Sequence, residues 1–258
     1  MKLEGNLYSG DKYRDEIRGI LFDLDGTLRH NKPSSVHAFF DYAVQFGLSD
    51  SSEKRKAATR WAHYYWAQSP DLADDLRIFQ ELDDPFWMNY SRRNLLAFDC
   101  EMDCAEELAP KMVTYMNTEY QPEDWVPEDV PATLQALRER GYHLGVLSNR
   151  SQPCQADLER LGLLDYFDFA LVAGEVNVWK PDPMVFQHAL KRMGTTSQQT
   201  IYVGDNYYAD IVGAQAADML PVLIDPEKIF PDAACPVIST LGELRELLNH
   251  HQPERSGD

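Results

Sequence analysis

Five short apolar runs along the chain have the character of strands buried on both faces of a parallel sheet. Helix signals separate them: Leu134 and Leu137 share one helical face before Gly141, and Asp182 followed by Pro183 marks a helix start. This alternation predicts an α/β fold with a doubly wound parallel sheet, a Rossmann-like core. The five predicted strands cover residues 17–23, 143–148, 167–173, 200–204 and 221–225.

The segment between the first and second predicted strands is much longer than a crossover requires. Roughly a hundred residues intervene, whereas a parallel crossover needs only about a dozen. Apolar residues recur there at helical spacing, around residues 36–44, 58–66, 86–98 and 108–116. We therefore predict a discontinuous core at 13–30 and 127–249, and a smaller all-helical domain inserted at 31–126.

Composition and charge narrow the possible partners. The chain has 24 basic and 42 acidic side chains, a net charge of −18, which argues against nucleic acid or an anionic membrane surface as a partner. No apolar run approaches the length of a membrane span, and the four cysteines show no zinc-type spacing. We expect a cytoplasmic protein; the oligomeric state is not predicted.

The first predicted strand ends in the segment Asp23-Leu24-Asp25-Gly26-Thr27. Two carboxylates at one strand tip are costly to bury without a cation or a chemical role. Carboxylate and backbone oxygens are ligands that suit a hard divalent ion. The sequence therefore predicts a magnesium site here.

Polar residues also follow the next predicted strands. Ser148 and Asn149 end the second, Lys180 lies in the loop after the third, and Asp205 and Asp210 follow the fourth. In an open parallel sheet, ligands bind at the carboxyl ends of the strands. We expect these side chains to converge with Asp23 at one edge. Asp210 has a second interpretation, as a cap of the helix that begins near Ala209.

In order and context, these four motifs resemble those of phosphatases of the haloacid dehalogenase superfamily, in the branch whose helical cap is inserted after the first motif. The resemblance implies a Mg²⁺-dependent phosphomonoester hydrolase for a small phosphorylated metabolite. It makes Asp23 the nucleophile that becomes an aspartyl-phosphate, and Asp25 the acid and then the base. Asp205 would complete the magnesium site, which Asp25 would reach through its backbone carbonyl.

The remaining roles concern the phosphoryl group. The resemblance assigns Thr27 and Ser148 to its oxygens and Lys180 to its charge, while Asn149 orients it and Asp210 acts from behind the metal ligands. Asp23, Asp25 and Asp205 sum to −3, and Mg²⁺ with Lys180 sums to +3, so the site is near neutral before substrate binds.

Asp25 favours phosphate transfer over carbon–halogen cleavage, because the dehalogenases lack an acid at that position. Two alternatives stay open: a phosphotransferase such as a sugar phosphomutase, and a catalytically silent binding module. The identity of the substrate is not predicted. The aromatic segment at residues 61–66 is interpreted as helix packing rather than as a substrate pocket.

Overall fold

The computed structural model of the protein describes residues 17–249. They divide into two compact units. The sheet unit takes the described residues up to Arg29 and from Val126 onward, and the helical unit is His30–Trp125. The first four residues of the predicted core, 13–16, lie outside the described part. Within that part, no helix has both the length and the apolar character needed to cross a bilayer.

Within residues 17–249 the structure has eight strands and eleven α-helices. The strands are β1 Gly19–Phe22, β2 His30–Lys32, β3 Glu123–Trp125, β4 His143–Ser148, β5 Phe169–Val172, β6 Thr200–Gly204, β7 Leu220–Ile224 and β8 Val237–Ile238. The helices are α1 Ser35–Val44, α2 Ser52–Trp66, α3 Pro70–Phe79, α4 Asp84–Ala97, α5 Met102–Thr118, α6 Asp129–Glu139, α7 Gln155–Arg160, α8 Ala173–Val176, α9 Pro183–Met193, α10 Gly213–Ala216 and α11 Glu243–Asn249.

The sheet unit contains one six-stranded parallel sheet in the order β5-β4-β1-β6-β7-β8. The central strand β1 pairs with β4 on one side and β6 on the other, with Phe22 opposite Val146 and Val203. The predicted doubly wound parallel sheet is confirmed. The register places the tips of β4 and β6 on either side of Asp23, the residue that follows β1.

Both faces of this sheet are covered, which explains the continuous apolar runs. Ile20 and Phe22 belong to the larger apolar cluster, together with Leu134 of α6 and Leu158 of α7. Leu21 points to the opposite face, where a second cluster forms around α9. Helix α9 begins at its predicted cap, since Asp182 accepts a hydrogen bond from the Met184 amide at 2.9 Å.

The helical unit is built from α1 to α5, and serine or aspartate side chains cap the first four of these helices. It departs from the all-helical prediction in one respect: β2 and β3 form a two-stranded antiparallel sheet at its two chain ends. Each strand has three residues, is largely polar and pairs with a segment about ninety residues away, so no local alternation indicates it. Helix α3 and strand β8 were likewise not predicted.

Candidate active site

Asp23 lies at the carboxyl end of β1, the central strand, and is 6% exposed. Its amide donates to the carbonyl oxygen of Val203 at 2.9 Å, which extends the β1–β6 ladder by one residue. Burial raises the pKa of its carboxyl group from an ordinary 3.8 to about 7, although Lys180 opposes the shift. Asp23 is thus a buried carboxyl group whose charge needs compensation.

Lys180 comes from the loop between α8 and α9 and is 2% exposed. Its Nζ donates to Asp23 Oδ1 at 2.6 Å, to Asp210 Oδ1 at 2.6 Å and to the hydroxyl of Tyr202 at 2.9 Å. Burial disfavours the ammonium, but Asp210 and Asp23 outweigh it and raise the pKa of Lys180, so the group stays charged. Each of its three N–H groups donates one of these hydrogen bonds, and direct contact with a phosphoryl oxygen would require one of the three hydrogen bonds to break.

Asn149 holds the backbone of Lys180 in place. Its Nδ2 donates to the carbonyl oxygen of Lys180 at 3.0 Å, and the Lys180 amide donates back to Asn149 Oδ1 at 2.7 Å. This reciprocal pair ties the tip of β4 to the Lys180 loop across 31 residues of sequence. Asn149 therefore acts on the site through Lys180, and its predicted contact with the transferred group stays a prediction.

Gly26 and Thr27 shape the turn after β1 around Asp205. Gly26 has φ +92°, and a Cβ atom there would lie 2.4 Å from a carboxylate oxygen of Asp205, so the position requires glycine. The hydroxyl of Thr27 donates to Asp205 Oδ1 at 3.2 Å. Burial and the neighbouring charge of Asp23 raise the pKa of Asp205 well above its ordinary value.

Carboxylate oxygens of Asp23, Asp205 and Asp210 lie within 4.8 Å of one another. Asp210 already accepts hydrogen bonds at both oxygens, from Lys180 at Oδ1 and from the Asn206 amide at Oδ2, and the Tyr202 hydroxyl lies 3.1 Å from Oδ1. Among residues 17–249, by contrast, Asp23 receives a side-chain hydrogen bond at Oδ1 only, as does Asp205.

Asp23 and Asp205 therefore fit a divalent cation. Each keeps a carboxylate oxygen to which no described residue donates, and the repulsion between the two acids is what a cation would relieve. An all-oxygen donor set suits a hard ion such as Mg²⁺. Asp210 fits a supporting position, held behind this pair by Lys180 and the Asn206 amide. Asp210 is completely buried within the π-helical turn Tyr207–Val212. The side chain that caps this turn is Asn206, so the interpretation of Asp210 as a helix cap is wrong.

Asp25 lies in a different environment, half-exposed between two guanidinium groups. Arg150 binds it in bidentate fashion, with Nε and Nη2 each 2.7 Å from a carboxylate oxygen, and Arg29 Nη1 adds a contact at 2.9 Å. Arg150 also pairs with Asp157. Sequence reasoning missed Arg150, although its position directly after Ser148 and Asn149 was an available signal.

Ser148 is the last residue of β4 and is 2% exposed. The strand register places it at the same sheet edge as Asp23, with no described side-chain hydrogen bond of its own to fix a role. The structure thus brings together Asp23, Lys180, Asp205 and Asp210 through contacts, while Asp25 and Ser148 flank them. Tyr202 was also missed, because an aromatic residue inside a strand carries no sequence signal for a polar contact.

Comparison with known proteins assigns the chain to a family. The sequence model for haloacid dehalogenase-like hydrolases matches residues 17–218, which include every predicted site residue. The chain belongs to the haloacid dehalogenase-like hydrolases. The predicted superfamily is therefore confirmed.

Three of the similar proteins are named as phosphatases. The chain is 32% identical over 213 residues to a glyceraldehyde 3-phosphate phosphatase of Methanopyrus kandleri, covering 81% of this chain and 84% of that protein. It is 28% identical to a phosphoserine phosphatase of Thermus thermophilus, covering 88% and 96%. The crystal structure of a HAD phosphatase from Thermococcus onnurineus matches with TM-score 0.53 and 26% identity, covering 90% and 98%. The predicted enzyme class, a phosphatase of this superfamily, is confirmed.

Proposed function

We propose that this hydrolase cleaves phosphate monoesters of small metabolites through a covalent phosphoryl group on Asp23. The observation that carries the proposal is the buried Asp23 carboxylate at the tip of the central strand, 2.6 Å from the Lys180 ammonium and beside Asp205. The names of the relatives support the substrate class, since glyceraldehyde 3-phosphate and phosphoserine are both small phosphorylated metabolites.

The carboxylates of Asp23 and Asp205, with the backbone carbonyl of Asp25, would hold Mg²⁺. When bound, the ion supplies positive charge beside the phosphoryl oxygens, which otherwise repel an attacking carboxylate. Lys180 adds a second positive charge from the protein itself. Thr27 and Ser148 are the hydroxyl groups next to this centre, and we assign them to the phosphoryl oxygens.

In the first step, a carboxylate oxygen of Asp23 attacks phosphorus, and the bond from phosphorus to the leaving-group oxygen breaks. Asp25 gives its proton to that oxygen, so the product leaves as an alcohol. Both oxygens of Asp25 accept hydrogen bonds from Arg150 and Arg29 in the structure. Before the first step, Asp25 must therefore leave this pairing and take up a proton from solvent; the second step returns a proton to it.

In the second step, water attacks the phosphorus of the aspartyl-phosphate. Asp25, now a carboxylate, takes the proton from the water, inorganic phosphate leaves, and Asp23 is regenerated. Dividing the hydrolysis into two displacements lets one set of charges serve both.

The test is a panel of phosphorylated metabolites assayed for inorganic phosphate with Mg²⁺ and again with EDTA. We expect metal-dependent phosphate release from at least one of them. Asp23→Asn should release no phosphate from that compound. Asp168→Asn is its control for a lost carboxylate, since Asp168 is exposed and its side chain pairs only with Arg138 and His143 in the described part of the chain. Isomerised product without phosphate release would indicate a mutase, and no turnover of any compound would contradict the proposal.

A further inference from the structure

Tyr202 lies inside β6 and is completely buried on the face covered by α9. Its ring packs edge-on against Phe186, with ring centroids 5.0 Å apart. Packing alone would be served by phenylalanine, whereas a buried hydroxyl must find hydrogen-bond partners. The Tyr202 hydroxyl has three within reach: Lys180 Nζ at 2.9 Å, Asp210 Oδ1 at 3.1 Å and the carbonyl oxygen of Leu147 at 3.1 Å.

The directions of these hydrogen bonds follow from counting protons. An ammonium group can only donate, so the Tyr202 oxygen accepts from Lys180. The single hydroxyl proton then goes to Leu147 or to Asp210, both of which are acceptors. Lys180 has three N–H bonds and three acceptors: Asp23, Asp210 and Tyr202. The hydroxyl therefore completes the coordination of a buried cation that has no water-exposed alternative.

Tyr202 also joins segments that are far apart in sequence. Leu147 immediately precedes Ser148 at the tip of β4, Lys180 belongs to the loop before α9, and Asp210 belongs to the π-helical turn after β6. The hydroxyl contacts all three segments while adding no charge. A carboxylate in place of the hydroxyl would have added another negative charge to the site.

We infer that Tyr202 is a positioning residue for the proposed reaction: its hydroxyl holds the Lys180 ammonium at its place beside Asp23. The inference rests on the proposed function. Because Lys180 has no N–H bond left for the substrate, we expect the hydroxyl to affect the chemical step rather than substrate binding. The two effects are separable in kcat and KM.

Tyr202→Phe tests this inference. We expect kcat to fall about tenfold, as for the loss of one hydrogen bond to a charged group, with KM within about twofold of wild type. Rapid-quench measurements should show slower phosphorylation of Asp23. Tyr202→Met, which removes the ring as well, should show the same loss in kcat with a larger loss of stability.

Thr200→Val is the matched control on the same strand. Thr200 is buried, and its hydroxyl bonds Thr196 O at 2.8 Å and Thr195 Oγ1 at 2.7 Å at the amino end of β6. This variant should lose stability and keep kcat. If Tyr202→Phe also keeps kcat and loses only stability, the hydroxyl is structural and the inference is overturned. An inactive wild-type protein would overturn the proposed function and this inference together.

Discussion

Two buried aspartates, Asp75 in the helical unit and Asp23 in the sheet unit, each lie beside a cationic side chain. Asp75 is 1% exposed; it accepts from Arg93 at 3.0 Å and from the Tyr65 hydroxyl at 2.9 Å. The buried carboxylate therefore pairs with one guanidinium, which also reaches the more exposed Asp71 at 3.6 Å, and a neutral hydroxyl supplies the remaining hydrogen bond. Both oxygens of Asp75 have a donor, so the arrangement needs nothing further.

The sheet unit has a different balance. Three carboxylates, Asp23, Asp205 and Asp210, lie within 4.8 Å of one another, and one ammonium, Lys180, pairs with Asp23 and Asp210, so the formal sum of these four groups is −3 + 1 = −2. A buried aspartate by itself is therefore not a sign of function, since Asp75 is equally buried. What distinguishes the site is its excess of two negative charges, which one divalent cation would neutralise.

The largest expected effect separates these two aspartates directly. Asp23→Asn should abolish turnover, by about a thousandfold or more, because the amide cannot form the phosphoryl bond. Asp75→Asn should instead destabilise the fold by about 3 kcal/mol, because Arg93 loses its buried charged partner and is left with the more distant and more exposed Asp71, and should keep kcat per folded molecule. Both variants are assayed at the same concentration of folded protein. Turnover by Asp23→Asn would contradict the assignment of Asp23 as the nucleophile.

Replacing Lys180, the ammonium that pairs with Asp23 and Asp210, comes next. Lys180→Met should lower kcat about a thousandfold, since one charge pair at 4 Å is worth about 4 kcal/mol at an effective dielectric near 20. It should also destabilise the metal-free protein, because three carboxylates remain without a counter-charge. Arg93→Met in the helical unit is the matched variant, with loss of stability only. Equal loss of kcat in both would contradict the assigned difference.

Asp25 gives a smaller effect that depends on the leaving group. Asp25→Asn should slow the hydrolysis of alkyl phosphates about a hundredfold, the usual contribution of a general acid. With p-nitrophenyl phosphate the leaving group needs no proton, so phosphorylation should proceed and phosphoenzyme should accumulate. Single-turnover rates of phosphorylation with the two ester types measure this, and an equal loss of that rate with both would argue against the acid role.

The smallest effect is on stability and concerns pH. The pKa of Asp23 is raised to about 7 and that of Asp205 is also raised. The folded protein therefore holds more protons than the unfolded chain between about pH 4 and 7, and the free energy of unfolding falls as the pH rises through that window. Mg²⁺ should compensate this loss, because it binds the deprotonated carboxylates.

Thermal unfolding at pH 5 and pH 8, with and without Mg²⁺, tests this expectation. The ion should raise the Tm at pH 8 and have little effect at pH 5, and Asp205→Asn should reduce the difference. A shift of equal size at both pH values would show that the ion binds somewhere other than these carboxylates.

Much of the fold was predictable because it depends on local apolar patterns. The strands β4 and β6 were predicted to the residue, since both are continuous apolar runs buried on two faces. The pair β2–β3 was not, because its short polar strands are defined only by each other. The three acids of the cluster were also named from the sequence, Asp23 and Asp205 as metal ligands and Asp210 as a residue behind them, because they follow the ends of β1 and β6.

Side-chain partnerships were not predictable in the same way. Arg150 meets Asp25 across 125 residues of sequence, and Tyr202 meets Lys180 across 22. Neither pairing follows from spacing or periodicity, because each depends on the three-dimensional positions of segments that are far apart in sequence. Asn149 shows the same limit, since its hydrogen bonds to the Lys180 backbone only become visible in three dimensions.

The most direct test of the account is to identify the phosphorylated residue. A rapid acid quench of the wild-type protein during turnover with Mg²⁺, followed by peptide mass spectrometry, should find one phosphoryl group on Asp23. Its amount should rise and then decay as substrate is consumed. Steady release of phosphate with no phosphoryl group on Asp23 at any time point, or with the group on another residue, would contradict the account.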